Sequence, residues 1–190
     1  MAATEPLTVL ILAGGQGRRL GSRDKGLLPW CGRSLIDWVI DRLAPQADRL
    51  LISANRHLDD YRHRGLEVVS DPIPDLGPLG GLLAVLPRLS PEEGLLTVPC
   101  DTPRLPSDLA ARLQCSPQVG IARDPHRIHW LIARYPPGTL RGLEAYLQRG
   151  GRSVHGFLAT LPHRMVAFPD ASAFVNLNRP QDLEDTPCPP

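Results

Sequence analysis

Residues Val9–Leu28 read VLILAGGQGRRLGSRDKGLL. Val9, Leu10, Ile11 and Leu12 form an unbroken apolar run, the pattern of a short strand buried on both faces. That run passes directly into Ala13, Gly14, Gly15, Gln16 and Gly17. Glycines at this density permit backbone conformations that a side chain forbids, and they let N–H groups close on anionic oxygens. Arg18, Arg19, Arg23 and Lys25 follow. A glycine loop leaving a buried strand, with cations immediately behind it, suits a polyphosphate. The plainer alternative is a glycine-rich turn with a solvated basic face.

Two familiar phosphate loops are excluded. A P-loop needs glycine immediately before its lysine, whereas Lys25 follows Asp24. The dinucleotide fingerprint G-x-G-x-x-G, started from Gly15 and Gly17, requires glycine where Leu20 stands, and Gly21 comes one residue late. The next strand ends in Ser53, Ala54 and Asn55, without the acidic residue that would hold a ribose.

Outward from the loop, strand and helix patterns alternate. Ser34 caps a helix whose Leu35, Ile36, Val39, Ile40 and Leu43 share one face, with Asp37 three residues after the cap. Strands are expected at Arg49–Ala54, Leu66–Ser70, Leu95–Val98, Val119–Ala122, Trp130–Tyr135 and Met165–Phe168. Helices are expected at Leu82–Leu86, Asp108–Gln114, Thr139–Gln148 and Ser153–Leu161. Strand, helix, strand at this spacing is a βαβ unit and implies a parallel sheet.

At 190 residues and a net charge of +1, one domain over residues 1–190 is expected, with residues 1–6 and 186–190 frayed. The balanced charge recruits neither nucleic acid nor membrane. No apolar run reaches transmembrane length, and no secretory signal opens the chain. Cys31, Cys100, Cys115 and Cys188 form no C-x-x-C pair. They read as unpaired thiols of a reducing, cytoplasmic protein.

Three further stretches carry candidate chemistry. Asp71 opens DPIPDLGPLGG, either as a turn former or as a polar contact at the carboxyl edge of the sheet. Asp101, in PCDTP, stands at the carboxyl end of a buried strand, where a carboxylate can ligate Mg²⁺. Asn176 and Asn178, in FVNLN, lie at i and i+2 of an extended segment and point the same way. Two uncharged amides suit a polar heterocycle such as a pterin, or else form Asx-turns before a helix. Arg152 is either an exposed charge or a contact for an anionic second substrate. His126 and His129 have a spacing that can suit a metal, but packing or solvation is the reading taken, since no third ligand is near.

LAGGQGRRLG followed by DKGLL resembles the signature loop of nucleotidyltransferases, and most closely that of the molybdenum cofactor guanylyltransferases. Asp71, the GPLGG turn, PCD and FVNLN match the same family in order, so the resemblance spans nearly the whole chain. It implies a three-layer α/β/α sandwich with a mostly parallel, Rossmann-like sheet of the nucleotide-diphospho-sugar transferase type. It implies that GTP is held by Leu12, Ala13, Gly14, Gly15, Gln16, Gly17, Lys25, Ser53, Asp71, Gly80 and Asp101. Lys25, Arg19 and Asp101 are the implied catalytic residues, with Mg²⁺ as cofactor on Asp101. Arg152, Asn176 and Asn178 are the implied contacts for molybdenum-molybdopterin. Contact with a cofactor-supplying protein and with recipient molybdoenzymes follows from the same resemblance.

The chain departs from the family twice. The family's N-x-N after the second strand reads Ser53, Ala54, Asn55, which leaves the strictness of guanine selection open, and its H-P-T reads Ile128, His129, Trp130, which leaves the role of that loop open. A cytidylyltransferase, a sugar-phosphate nucleotidyltransferase and a non-catalytic carrier of the cofactor are the alternatives.

Overall fold

In the computed structural model, which describes residues 5–13 and 24–188, the apolar run beginning at Val9 lies in β1 (Leu7–Leu12). A small antiparallel hairpin, β2 (Pro29–Trp30) with β3 (Arg33–Ser34), precedes α1 (Leu35–Leu43). Then come β4 (Arg49–Ser53), α2 (Leu58–Arg62), β5 (Glu67–Val69), α3 (Pro78–Val85) and β6 (Gly94–Pro99). The remainder is α4 (Leu109–Arg112), β7 (Val119–Arg123), β8 (Ile128–Tyr135), α5 (Leu143–Gln148), α6 (Val154–Leu158), β9 (His163–Ala167) and α7 (Pro180–Asp185).

Seven strands form one sheet in the order β5-β4-β1-β6-β8-β7-β9. β1 pairs in parallel with β4 and β6, β4 with β5, and β7 with β9. β8 is antiparallel to both of its neighbours. It follows β7 by a tight hairpin, a connection open only to antiparallel strands. The expected mostly parallel sheet is therefore present.

The alternation of β1 sets the layers. Val9 and Ile11 pack with Ile36, Val39 and Leu43 of α1 and with Leu109 of α4 on one face. Leu10 packs with Leu79 and Leu82 of α3, Leu143 of α5 and Phe157 of α6 on the other. Removing each such Leu or Ile from water contributes about 1.5–3 kcal/mol. Burial on both faces thus makes β1 an inner strand of a three-layer sandwich. α1 starts where its cap was expected: the Ser34 N–H donates to the Asp37 carboxylate at 3.3 Å.

Several expectations are corrected. Gly80 and Gly81 lie inside α3, not in a loop before it. The helix expected from Thr139 opens as a 3-10 turn over Thr139–Gly142. Apart from these corrections, Glu5 accepts from Arg134 at 3.2 Å, and the Thr186 carbonyl accepts from Trp30 Nε1 at 3.3 Å. Cys31 and Cys188 are joined by a disulfide, with Cα atoms 5.7 Å apart, so the four thiols are not all unpaired; Cys100 and Cys115 are free. The bond ties the tail beyond α7 to the β2–β3 hairpin.

Candidate active site

From β1 the chain crosses to β4 on one side, while β6 pairs on the other. The strand order reverses there, and in open α/β sheets ligands settle outside the carboxyl ends of strands at such a switch point. A cleft of about 190 Å³ opens at this place, and its lining includes Leu12, Lys25, Ser53, Asp71, Asp101 and Asn176.

One wall is made by side chains that are missing. A Cβ on Gly80 would sit 2.4 Å from Asp71 Cγ, and one on Gly81 would sit 2.6 Å from Ser53 Oγ. The two glycines let α3 lie directly against Asp71 and Ser53. Asn55 locks the same wall reciprocally: its Nδ2 donates to Asp71 Oδ2 at 2.8 Å, and its Oδ1 accepts from the Asp71 N–H at 2.9 Å. Asp71 Oδ1 is buried without a partner among the described residues. Burial raises the Asp71 carboxyl above its ordinary range, with the Asn55 bond opposing.

The opposite wall holds the cation. Asp24 caps a 3-10 turn over Lys25–Leu27 by accepting from the Gly26 N–H at 3.2 Å, and the Tyr61 hydroxyl donates to the same oxygen. A Cβ on Gly26 would meet Tyr61 Oη at 2.6 Å and Cys100 Sγ at 3.4 Å. The D-K-G triplet therefore has a structural reason at each position: a cap, a reaching cation and a close approach. Lys25 Nζ stands 3.4 Å from Asp101 Oδ2 and also donates to Asn178 Oδ1.

Asp101 is the junction of this wall. Its Oδ1 accepts from Asn176 Nδ2 at 2.8 Å, and its backbone carbonyl accepts from the Leu177 N–H at 2.9 Å. Asp182 of α7 anchors the segment from behind, accepting from the Asn178 and Arg179 N–H groups at 2.8 Å each. The two asparagines thus reach one place, as their spacing implied, with partners supplied by the protein. Cys100 is buried, and desolvation pushes its thiol well up, so it cannot act as a thiolate nucleophile near neutral pH.

Arg152 lies apart from the cleft lining, its guanidinium turned onto the carbonyls of Leu147 and Gly151 at 2.9 and 2.7 Å. His129 packs as expected, stacked on Phe174 with ring centroids 4.7 Å apart and its Nε2 2.9 Å from Asp124. Among the described residues, no group of three or more His, Cys, Asp or Glu side chains could hold a metal. Gly14, Gly15, Gln16, Gly17, Arg18, Arg19 and Arg23 lie outside the described residues. Ala13 ends the described part of the loop, its N–H donating to the Ser53 carbonyl at 2.8 Å. Sequence reasoning passed over Asn55, whose signal was the second asparagine of the altered N-x-N. It also passed over Tyr61, whose partner Asp24 lies 37 positions away.

A mostly parallel seven-stranded sheet with helices on both faces and a cleft at its switch point is the fold of the nucleotide-diphospho-sugar transferases. The chain belongs to the MobA-like NTP transferase family, whose domain matches residues 9–164. It is 42% identical over 178 residues to the molybdenum cofactor guanylyltransferase of Cereibacter sphaeroides, covering 92% of each chain. It is 39% identical over 196 residues to that of Cupriavidus taiwanensis, covering 96% of this chain and 97% of the relative. The crystal structure of molybdopterin-guanine dinucleotide biosynthesis protein A from Archaeoglobus fulgidus superposes with a TM-score of 0.72 at 22% identity, covering 93% of this chain and 95% of that one. That of 4-diphosphocytidyl-2C-methyl-D-erythritol synthase superposes with a TM-score of 0.68 at 14% identity, covering 96% and 97%. Likeness at these identities speaks for the fold alone. The relatives speak for the activity class: the protein is a nucleotidyltransferase, and the resemblance read from its motifs is borne out.

Proposed function

We propose that the protein transfers GMP from GTP to the terminal phosphate of molybdenum-bound molybdopterin, releasing pyrophosphate and forming molybdopterin guanine dinucleotide. The observation that carries this reading is the junction at Asp101, where Lys25 and Asn176 meet one carboxylate inside the switch-point cleft. The names of the relatives, each a molybdenum cofactor guanylyltransferase, support the substrate pair.

The reaction needs positioning more than it needs a protein nucleophile. An oxygen of the second substrate's phosphate attacks the α-phosphorus of GTP, and the bond to pyrophosphate breaks. Two polyanions must be held in line while charge builds on the leaving group. Lys25 offsets part of that charge, and the loop before it, with Arg19 and the glycine N–H groups, is assigned the rest. Asp101 suits Mg²⁺: it is a hard oxygen donor, and this ion commonly takes one or two carboxylates together with substrate phosphates. Bound there, Mg²⁺ would neutralise phosphate charge. Asn176 and Asn178 are assigned to the pterin side, and Arg152 would have to leave the carbonyls of Leu147 and Gly151 to join them.

The buried Asp71 Oδ1, without a partner among the described residues, supports guanine as the base. It is a buried acceptor, and guanine offers an exocyclic amino donor beside its ring N–H. Asn55, holding the other Asp71 oxygen, takes up part of the role left by the altered N-x-N. Cytoplasmic location belongs to the same proposal and rests on the family resemblance, since the Cys31–Cys188 disulfide removes the argument from unpaired thiols. Separately, no helix among the described residues is long and apolar enough to cross a membrane.

The test incubates the protein with Mg²⁺, cofactor-loaded molybdopterin and labelled GTP, ATP or CTP in turn, and measures pyrophosphate. Release with GTP that requires the pterin is the expected result. Release with CTP alone would make it a cytidylyltransferase, and binding without release would make it a carrier.

A further inference from the structure

The hairpin between β7 and β8 reaches the site through a side chain that the mechanism above does not use. β8 departs from regular register there: Ile121 pairs with Ala133, whereas Arg123 pairs with Ile128, so extra residues of β8 bulge out. Such bulges re-aim side chains. Asp124 fixes the turn, its Oδ1 accepting from the N–H groups of His126 and Arg127 at 2.6 and 2.8 Å. The exposed Arg127 guanidinium is thereby aimed at the FVNLN segment. It donates to the Phe174 carbonyl at 3.0 Å and to Asn176 Oδ1 at 3.1 Å.

Asn176 is consequently held between a partner that can only donate and one that, when ionised, can only accept. Its amide has one orientation that satisfies both: Oδ1 toward Arg127 and Nδ2 toward Asp101. A flipped amide would set oxygen against carboxylate and NH₂ against guanidinium. With Asp101 Oδ1 engaged by Asn176, Oδ2 is the oxygen that faces Lys25.

We infer that Arg127 is a positioning residue, orienting the Asn176 amide so that it engages one oxygen of Asp101 and leaves the other for a cation. The inference rests on the proposed function only in taking Asp101 as a cation-holding carboxylate. Arg127 is predicted to act on the cation with the opposite sign to its charge. Deleting a nearby positive charge should by itself tighten binding of a second cation, whereas losing the orienting bond should weaken it.

The experiment measures the Mn²⁺ dissociation constant by electron paramagnetic resonance, Mn²⁺ sharing the preference of Mg²⁺ for carboxylate oxygen. Wild type, Arg127→Ala, Arg127→Lys, Asn176→Ala and the Arg127→Ala/Asn176→Ala double variant are compared. Arg127→Ala is expected to weaken Mn²⁺ about tenfold, the low end of the effect of removing a group that orients a metal ligand. Arg127→Lys, which keeps a donor, restores part of the loss. In the Asn176→Ala background, Arg127→Ala changes the constant less than about twofold, because contacting residues are coupled. In turnover, Arg127→Ala lowers kcat and leaves KM for GTP nearly unchanged. Unchanged or tighter Mn²⁺ binding in Arg127→Ala, additive losses in the double variant, or no Mn²⁺ binding by wild type overturns the inference. Wild type that couples Mn²⁺ as stated but turns over no GTP overturns the proposed function and leaves this inference standing.

Discussion

The two walls of the cleft are built on opposite plans. The Asp71 wall is local and made by shape: Asn55 and Asp71 lie 16 positions apart, and the wall exists because Gly80 and Gly81 carry no Cβ. The Asp101 wall is assembled by polar contacts from far along the chain. Lys25 meets Asp101 across 76 positions and Asn178 across 153. A wall made by shape is rigid and suits a base that must be told from other bases. A wall made of paired charges and amides can exchange partners, which suits phosphates that arrive and leave. On the proposed function, the contrast divides recognition and chemistry between the two sides of β1.

The sharpest way to break this division is Asp101→Ala. If the far wall carries the chemistry, turnover should fall by roughly 10²–10³, as with loss of other preorganised electrostatic groups. Turnover within a few-fold of wild type would remove Asp101 from the mechanism. Next in size is the covalent tie behind the same wall. Cys188→Ser opens the link to Cys31 and frees the tail that follows α7. Chemical denaturation should show a loss of about 2–4 kcal/mol, with KM for the pterin substrate rising more than KM for GTP. Equal rises in both would mean that the tail serves the whole cleft. The near wall is tested by Gly80→Ala, which drives a methyl to 2.4 Å from Asp71 Cγ. Overpacking of this kind costs about 1–3 kcal/mol, and GTP affinity should fall with it. Gly142→Ala, where a Cβ meets nothing within 4 Å, is the silent control.

How much of this was legible in the sequence follows the same division. β1, the parallel order and the carboxyl-edge positions of Ser53, Asp71 and Asp101 could be read from apolar runs and their endings, because burial of β1 on both faces leaves a local signature. The far wall was legible only as motifs. Spacing aimed Asn176 and Asn178 the same way, but nothing local tells that Asp101 and Lys25 receive them. The glycines of GPLGG read as loop because glycine disfavours helix interiors; only the positions of Asp71 and Ser53 explain their place within α3. Arg127 was invisible because its use depends on a register shift in β8. The Cys31–Cys188 pair, 157 positions apart, gave no spacing signal at all.

The smallest effect sharpens the comparison from outside the cleft. Burial lowers the His129 imidazole below its ordinary 6.5, with Asp124 opposing and Arg127 adding to the shift. For a base whose folded value is depressed, the unfolded chain takes up the proton first as pH falls. Stability tied to neutral His129 is therefore fully present above about 6.5 and drains away as pH drops through the folded value. His129→Gln can still donate to Asp124 but does not titrate. Urea denaturation from pH 7 to pH 5 should give a shallower decline for that variant than for wild type. Because His129 lies against Phe174 and shares Asp124 with the Arg127 turn, Mn²⁺ affinity should weaken in parallel over the same range in wild type, beyond any drift seen in the variant. Matching denaturation slopes would show that the hairpin supports the far wall without any titrating part.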